Sequence, residues 1–327
     1  MKDIIQERYN IELGEEIYHS GLHGFKGRDG YYILIPEPPT TDEEAYEQRS
    51  LCEYLANQGF QNVAIPLFTT EGRLQTSLDN QTFSLIYTPS FDTVQEKQGT
   101  KLARFHQLGN DYPYQPQYVS RYGQWKTLWE DKMDAWTSLY EQEWEERPAT
   151  SYQRLFIETF PYLEGMTENA IQYLQESEQD WRYDQTDQGT FTFQRLHPSM
   201  LSENIWPHTL LYDHPTRDIA EWMRYKFLEK GFEAFGEIQT FLDDYESSRT
   251  LSVFSWRMIY ARLLLPVHLF DSLEGALGKG DKRNRMAEQS LRDLLHYQET
   301  YEQILYRFFA ELSLDVQRVN IPVLDWD

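Results

Sequence analysis

The stretch His197-Pro198-Ser199-Met200-Leu201-Ser202-Glu203-Asn204 decides how this sequence is interpreted. It is a polar loop between two short β-prone runs. The second run, Thr209-Leu210-Leu211-Tyr212-Asp213, ends on a carboxylate just before a turn at His214-Pro215. Residues 190–216 therefore predict strand, polar loop and strand, and helical segments lie on both sides of this hairpin.

The helical segments dominate the chain after residue 89. Hydrophobic residues recur with helical spacing over 94–108, 125–144, 152–173, 217–230, 233–245, 251–273 and 286–314. No internal repeat or low-complexity tract interrupts them. We predict one mostly helical lobe over 89–327 that contains the hairpin 190–216.

Residues 1–88 have a mixed pattern. β-prone runs occur at 16–19, 30–36, 63–68 and 82–87. Between the second and third runs a helix begins at Thr41-Asp42-Glu43-Glu44, a capping threonine and an acidic first turn, and ends at Asn57-Gln58-Gly59. Strands joined by hairpins predict an antiparallel sheet plus one helix over 1–88, an α+β arrangement.

Composition limits the possible partners. The chain has 53 acidic and 30 basic side chains and a formal net charge of -23, so nucleic acid and anionic lipid surfaces are poor partners. Its one cysteine, Cys52, can form no intrachain disulfide and no cysteine cluster for zinc. No apolar run reaches the length of about 18 residues that a membrane span requires.

Several short motifs resemble those of the aminoglycoside phosphotransferase and choline kinase-like families. Leu102-Ala103-Arg104-Phe105-His106 is similar to their Leu-Ala-x-Phe-His stretch. The loop 197–204 resembles their catalytic loop, His-Gly-Asp, four residues and Asn. Asp213 stands where these families have a metal-binding Asp, and Arg217-Asp218-Ile219-Ala220 is similar to the helix start that follows it.

Within that superfamily the chain more closely resembles the CotS/YutH group of endospore coat-associated proteins. The similar stretches include Gly30-Tyr31-Tyr32-Ile33-Leu34, Leu55-Ala56-Asn57-Gln58-Gly59-Phe60 and the terminal Ile321-Pro322-Val323-Leu324-Asp325-Trp326. The resemblance implies a protein kinase-like two-lobed fold, with a small β-rich N-terminal lobe and a large, mostly helical C-terminal lobe. It also implies synthesis in the cytoplasm, residence in the spore coat of an endospore-forming bacterium, and other spore coat proteins as partners.

Two positions that carry chemistry in the related kinases are replaced here. The resemblance puts Ile35 where those kinases have a lysine that pairs with the nucleotide phosphates, and an aliphatic side chain supplies no charge. The Asp that orients the acceptor aligns with Ser199, whose hydroxyl is a very weak base at neutral pH. The glycine of the loop aligns with Pro198, which fixes φ and lacks an N–H donor.

Other candidate positions keep a polar side chain. Asn204 and Asp213 align with the metal-binding pair, and one amide with one carboxylate makes a weak Mg²⁺ site. Tyr87 is a further candidate nucleotide contact. The stretch 19–30, which would cover a nucleotide, has glycines at every third position, and Lys26 and Arg28 are its cations.

The remaining polar residues near these motifs have structural interpretations. His197 is expected to fix its loop by hydrogen bonding. Asp218 is expected to cap the following helix and to brace the backbone of the loop. His106, His208 and His214 lack the spacing of metal ligands.

Three functions follow from these positions. The first is a catalytically degenerate kinase-like protein that acts in spore coat assembly or structure through protein contacts, with no cofactor. The second is a small-molecule phosphotransferase with a non-standard site, which would use Mg-ATP with Asp213 on the metal and Lys26 or Arg28 on phosphate. The third is a protein that binds a small ligand in the retained cleft without transforming it.

Overall fold

The computed structural model describes residues 1–36, 40–78, 81–92, 95–146, 150–180, 182–274 and 281–322. The predicted helix start at Val94 and the terminal stretch from Val323 lie outside these residues. The strands are β1 Glu16–His19, β2 Leu22–Lys26, β3 Tyr31–Pro36, β4 Ile65–Pro66, β5 Gln75–Leu78, β6 Gln81–Thr88, β7 Thr190–Phe193 and β8 Leu210–Asp213.

Helices make up most of the remainder. They are α1 Lys2–Tyr9, α2 Asp42–Asn57, α3 Gln98–Asn110, α4 Trp125–Glu146, α5 Ser151–Glu178, α6 Thr216–Lys230, α7 Ala234–Glu246, α8 Val253–Leu264, α9 Val267–Glu274, α10 Asp281–Glu311 and α11 Val316–Val319. The chain forms two compact units. One comprises 1–122, 188–218 and 243–249, and the other comprises 123–187, 219–242 and 250–327.

An antiparallel sheet dominates the N-terminal part of the first unit. Its strand order is β1-β2-β3-β6-β4, and β5 also pairs with β6. Because side chains alternate along a strand, β3 contributes to clusters on both faces of the sheet. One cluster contains Ile5, Tyr9, Leu13, Phe25, Leu34, Phe83 and Leu85. The other contains Ile33, Ile35, Ala64 and Ile86.

The glycine-bearing stretch before β3 contains a strand, β2, that the sequence pattern did not predict. Ser20 and Gly21 form a two-residue turn with φ of 49° and 81°, and residues 22–26 return beside β1 as β2. Gly24 is required because a Cβ there would lie 2.5 Å from the Tyr32 carbonyl oxygen. Gly24 thus allows close backbone packing, whereas Gly21 supplies a positive φ in the turn.

The helix predicted after Thr41 is confirmed, and its threonine hydroxyl accepts a hydrogen bond from the Glu44 N–H. The predicted strand 63–68 shortens to β4, because Pro66 has no N–H and Val63 instead forms a bridge with Ile205. The sequence pattern did not predict α1 or β5. Both elements are short and lack a clear hydrophobic period.

The C-terminal helices agree with the predicted segments except at one place. The pattern over 251–273 predicted a single helix, but Pro266 divides it into α8 and α9. Leu265, before the proline, has extended φ and ψ of -62° and 119°, as the proline ring requires of its neighbour. No helix in the described ranges is long and apolar enough to cross a membrane.

A buried histidine in the second unit makes stability depend on pH. His268 is 8 % exposed, and its Nε2 lies 3.0 Å from Gln298 Oε1. Burial lowers the pKa of His268 to about 4, and the nearby Arg224 charge acts in the same direction. The unfolded chain therefore takes up a proton at His268 at a higher pH than the folded chain does.

We expect this histidine to cost stability as the pH falls from about 6.5 towards 4, by about 1.4 kcal/mol per pH unit. Replacing it by a residue that does not titrate, His268→Gln, removes this contribution. Urea unfolding at several pH values within this window measures the difference in slope between the two proteins. Parallel slopes would contradict the assignment of a neutral buried imidazole.

Candidate active site

The hairpin of β7 and β8 positions the candidate residues of the first unit. Thr190 pairs with Asp213 and Phe193 with Leu210, so Asp213 ends β8 beside the start of β7. The loop after β7 contains a short 3₁₀ turn, Pro198–Leu201, with proline at its first position. Proline suits this position because its fixed φ is helical and its missing N–H has no partner there.

Asp218 anchors the end of β7. Its carboxylate is fully buried and accepts hydrogen bonds from the Phe193 N–H at 2.9 and 3.2 Å. Asp218 therefore holds the backbone at the end of β7, just before the loop that we expected it to brace. The predicted cap is wrong, because α6 begins at Thr216 and Asp218 lies within its first turn.

His106 completes the buried network around Asp218. Its Nε2 lies 3.1 Å from Asp218 Oδ2, and its Nδ1 lies 2.8 Å from the Tyr245 hydroxyl. Burial holds the pKa of His106 well below its usual value, and the nearby charges of Arg249 and His214 act in the same direction. Since a carboxylate only accepts, Nε2 of the neutral ring donates to Asp218 and Nδ1 accepts from Tyr245.

A guanidinium holds the Asp213 carboxylate. Arg217 Nη1 donates to Asp213 Oδ2 at 2.8 Å, and the His214 N–H donates to Oδ1 at 2.7 Å. The same guanidinium donates to the carbonyl oxygens of Phe193 at 3.0 Å and Gln194 at 2.9 Å. Both oxygens of the buried carboxylate are thus engaged within the protein, and Arg217 links β8 to the end of β7.

Asn204 ties the loop to the end of β6. Its Nδ2 donates to Thr88 Oγ1 at 2.5 Å and to the Ser90 carbonyl oxygen at 2.9 Å. Next along the chain, Ile205 donates to the Asn62 carbonyl and accepts from the Ala64 N–H. Asn204, only 5 % exposed, is therefore part of a backbone junction.

Ser199 and His197 contact each other at the surface of the loop. His197 Nδ1 lies 2.9 Å from Ser199 Oγ and accepts from the Ser199 N–H at 3.2 Å. His197 therefore caps the 3₁₀ turn, as expected of a loop-fixing residue. Pro198 is buried, and its carbonyl oxygen accepts from Gln98 Nε2 at 2.9 Å.

Ile35 lies in the apolar cluster of Ile33, Ala64 and Ile86 and is 3 % exposed. Half-buried aromatic residues pack against this cluster. The Phe91 ring stacks on His19 with 3.8 Å between centroids and an interplanar angle of 14°. It also contacts Tyr31, with centroids 4.6 Å apart. Trp206 packs on the same cluster. The tip of the β1–β2 hairpin is thereby joined to the segment that follows β6.

The other candidate nucleotide contacts lie apart from this aromatic group. The Tyr87 ring contacts Tyr32, with centroids 5.6 Å apart, and its hydroxyl donates to the Asp29 carbonyl oxygen at 2.8 Å. Lys26 ends β2 and Arg28 follows it, and both side chains are exposed. The guanidinium that contacts Asp213 is that of Arg217, which lies on α6 four residues further along the chain.

Metal ligands do not cluster in the part of the chain that the structure describes, where no group of three or more His, Cys, Asp or Glu side chains could hold an ion. His106 and His214 make hydrogen bonds instead, His214 through Nδ1 to Thr216 Oγ1 at 2.6 Å. Analysis of the sequence missed Arg217 and Phe91. The spacing of four residues between Asp213 and Arg217 could have indicated an ion pair, but no local signal places Phe91 on His19.

Comparisons with known proteins identify the relatives of this chain. A family model described as "Spore coat putative kinase YutH" matches residues 2–308. The "Endospore coat-associated protein YutH" of Bacillus subtilis (strain 168) is 30% identical over 331 residues, covering 100% of this chain and 98% of that protein.

Solved structures of phosphotransferases share the fold. An aminoglycoside phosphotransferase from Alicyclobacillus acidocaldarius has a TM-score of 0.65 at 11% identity, with 96% of each chain covered. A spectinomycin phosphotransferase in complex with ADP and spectinomycin has a TM-score of 0.60 at 13% identity, with 96% of this chain and 98% of that chain covered. The expected α+β, kinase-like fold is confirmed, with an N-terminal antiparallel sheet and a large helical C-terminal part.

The buried network predicts that Asp218→Asn destabilises the protein. The Asp218 carboxylate accepts hydrogen bonds from both the Phe193 N–H and His106 Nε2. An amide has only one acceptor oxygen, so one of these two buried donors loses its partner. We expect a loss of about 2–4 kcal/mol in the free energy of unfolding. Chemical denaturation measures it against Asp29→Asn, an exposed control that should change stability by about 0.5 kcal/mol or less. Equal effects of the two substitutions would contradict the bracing role.

The ion pair of Asp213 and Arg217 predicts a strong coupling between the two positions. Arg217→Met leaves the buried carboxylate without its cation, so we expect a loss of about 3–5 kcal/mol. Adding Asp213→Asn removes the buried charge and keeps an acceptor for the His214 N–H, so the double variant should regain about half of that loss or more. A double-mutant cycle of unfolding free energies measures this, and additive losses would refute the pairing.

Proposed function

The chain belongs to the spore coat putative kinase YutH family, and we propose that it is a catalytically inactive kinase-fold component of the endospore coat. It acts in coat assembly or structure through contacts with other coat proteins. Residence in the coat rests on its relative, which is an endospore coat-associated protein. The inactivity rests on the contacts of the candidate site.

The observation that carries this proposal is that the protein's own side chains pack against one another where the resemblance puts the nucleotide. Ile35, at the position of the phosphate-pairing lysine, is buried among aliphatic neighbours. Phe91 stacks on His19 and contacts Tyr31 at the hairpin that would cover a nucleotide. A planar base binds between apolar surfaces, and here the rings of Phe91 and His19 stack on each other instead.

The polar positions support the same conclusion. Mg²⁺ binds through carboxylate oxygens and phosphate oxygens, but both Asp213 oxygens are engaged, one of them by a cation. Asn204 uses its amide nitrogen at Thr88 and Ser90. Because the Asp213 carboxylate is already paired with a cation, the residues present do not fit a Mg-ATP site.

The absence of a carboxylate base from the loop after β7 does not depend on aligning Ser199 with the acceptor-orienting Asp. Residues 190–202, from the start of β7 through the loop, contain no Asp or Glu, and Glu203, the first carboxylate after them, is exposed. Loss of a general base costs a factor of about 10²–10⁴ in rate. β3 likewise contains no Lys or Arg at any position, so a shift in its alignment supplies no cation for phosphate.

The alternative is a small-molecule phosphotransferase that uses other residues. Kinase-like neighbours and the retained Asp213 and Asn204 favour it. Lys26 ends β2 and Arg28 follows it, and both are exposed cations. For this function, nucleotide binding would have to separate Arg217 from Asp213 and Phe91 from His19 at the same time. The buried contacts just described would then be lost. The third candidate, a ligand-binding protein, requires only the stack to open.

Calorimetric titration with Mg-ATP tests the proposal. We expect no binding tighter than millimolar in the unmodified protein, and no formation of ADP and phosphorylated acceptor with aminoalcohol or aminoglycoside acceptors. The variant Phe91→Ala removes the stacked ring, so adenosine should raise its melting temperature and leave that of the unmodified protein unchanged. Micromolar affinity of the unmodified protein for Mg-ATP would reject the inactive assignment. A melting shift with an aminoalcohol or sugar alone would instead favour the ligand-binding candidate.

A further inference from the structure

The segment 112–122 connects α3 to α4 and displays several tyrosines. Tyr114 is 68% exposed, Tyr118 is 51% exposed and Tyr122 is 41% exposed. These three rings stand on nine consecutive residues with a spacing of four. Exposed single aromatics are ordinary, but several on one short segment form the kind of surface that proteins use for contact.

The backbone of this segment is fixed by a carboxylate from α2. Glu47 Oε1 accepts from the Gln117 N–H at 2.7 Å, and Oε2 accepts from Tyr118 at 2.7 Å and Val119 at 2.9 Å. Three consecutive N–H groups thus converge on one side chain. Charge-assisted hydrogen bonds of this kind are among the stronger ones in proteins.

Further contacts hold the same backbone on its other side. Val119 and Arg121 form backbone hydrogen bonds with Tyr212 of β8, at 3.1 and 2.8 Å. The Arg121 guanidinium donates to the carbonyl oxygens of Tyr118 and Ser120. Tyr112, at the start of the segment, has its hydroxyl 2.7 Å from Ser50 Oγ on α2. The main chain is therefore held while the tyrosine rings face solvent.

Rigid exposed tyrosines are suited to binding. A tyrosine on a fixed backbone loses little conformational entropy when a partner covers it, and it offers both an aromatic face and a hydroxyl. Tyr114 contacts Tyr112 and Tyr122 lies parallel to the His214 ring, so these two rings are supported from below while a large part of each stays exposed.

Charge determines the class of partner. The chain has a net charge of -23, and α2, to which the segment is fastened, carries five carboxylates and one guanidinium. That guanidinium, on Arg49, is paired with Glu53. An acidic partner or a second copy of this chain would be repelled, whereas a basic partner would be attracted.

We propose that the segment 112–122 is a docking surface for an arginine-containing basic segment of a protein partner. Arginine fits better than lysine because its planar guanidinium stacks on aromatic faces and is weakly hydrated. This inference deepens the proposed function, on which it rests for its biological role, because it gives the protein contacts a surface and a class of partner. The docking itself is independent of whether the cleft binds nucleotide.

Peptide binding to the full chain tests the docking surface. The probe is a fluorescein-labelled peptide of arginines separated by Gly-Ser, with a lysine peptide of the same length and charge as its comparison. Fluorescence anisotropy at a salt concentration of about 150 mM suppresses long-range attraction. The arginine peptide should bind about tenfold more tightly than the lysine peptide, and Tyr114→Ser/Tyr118→Ser/Tyr122→Ser should lose about tenfold in affinity for it.

A matched variant tests whether binding depends on the tyrosines of segment 112–122 or on exposed tyrosines in general. Tyr18, Tyr183 and Tyr306 are 75%, 55% and 59% exposed, and Tyr18→Ser/Tyr183→Ser/Tyr306→Ser should bind the arginine peptide as the unmodified protein does. Replacing the three segment tyrosines by phenylalanine keeps the rings, so binding should be retained, and circular dichroism checks each fold. Equal binding of both peptides, or an equal loss in the matched variant, would overturn the proposal. The outcome of these binding measurements is independent of whether the protein binds Mg-ATP.

Discussion

The burial of the Asp218 carboxylate is the constraint on which the first unit depends. A carboxylate without solvent contact is tolerated only when donors surround it, and here the Phe193 N–H and the neutral imidazole of His106 supply them. Tyr245 in turn orients the imidazole. One side chain on α6 thereby joins the end of β7, α3 and α7, and the loop after β7 takes its position from this junction.

The polar residues of the same unit fall into two groups, those that support the backbone and those at candidate site positions. Asp218 and His106 stabilise the backbone whether or not a reaction takes place. Asp213 and Asn204, by contrast, stand at candidate site positions, and both make contacts within the protein. Arg217 supplies the positive charge next to Asp213, and Thr88 and Ser90 accept from the Asn204 amide. A kinase-like fold can thus keep such polar residues in contacts within the protein, because a buried charge needs an opposite charge from either the protein or a ligand.

Some of the site could be predicted from the sequence and some could not. The hairpin 190–216, the helix after Thr41 and the long helices follow from local motifs and periodicity. Other features escaped prediction, among them the short elements α1, β2 and β5, the break at Pro266, the ion pair of Arg217 and the contacts of Phe91. Short elements carry too few residues for a period, and a proline within a helical pattern can either start a helix or end one.

The sequence by itself determined the α+β class, the family resemblance and the identity of the residues at each candidate position. Each of these depends on residues close together along the chain. Only the tertiary structure decided that Phe91 lies on His19, that Arg217 reaches Asp213 while also holding two carbonyl groups, and that Glu47 fixes the backbone of segment 112–122. Such contacts join distant parts of the chain, and they form because packing and the pairing of buried polar groups select one arrangement among many that local propensity allows.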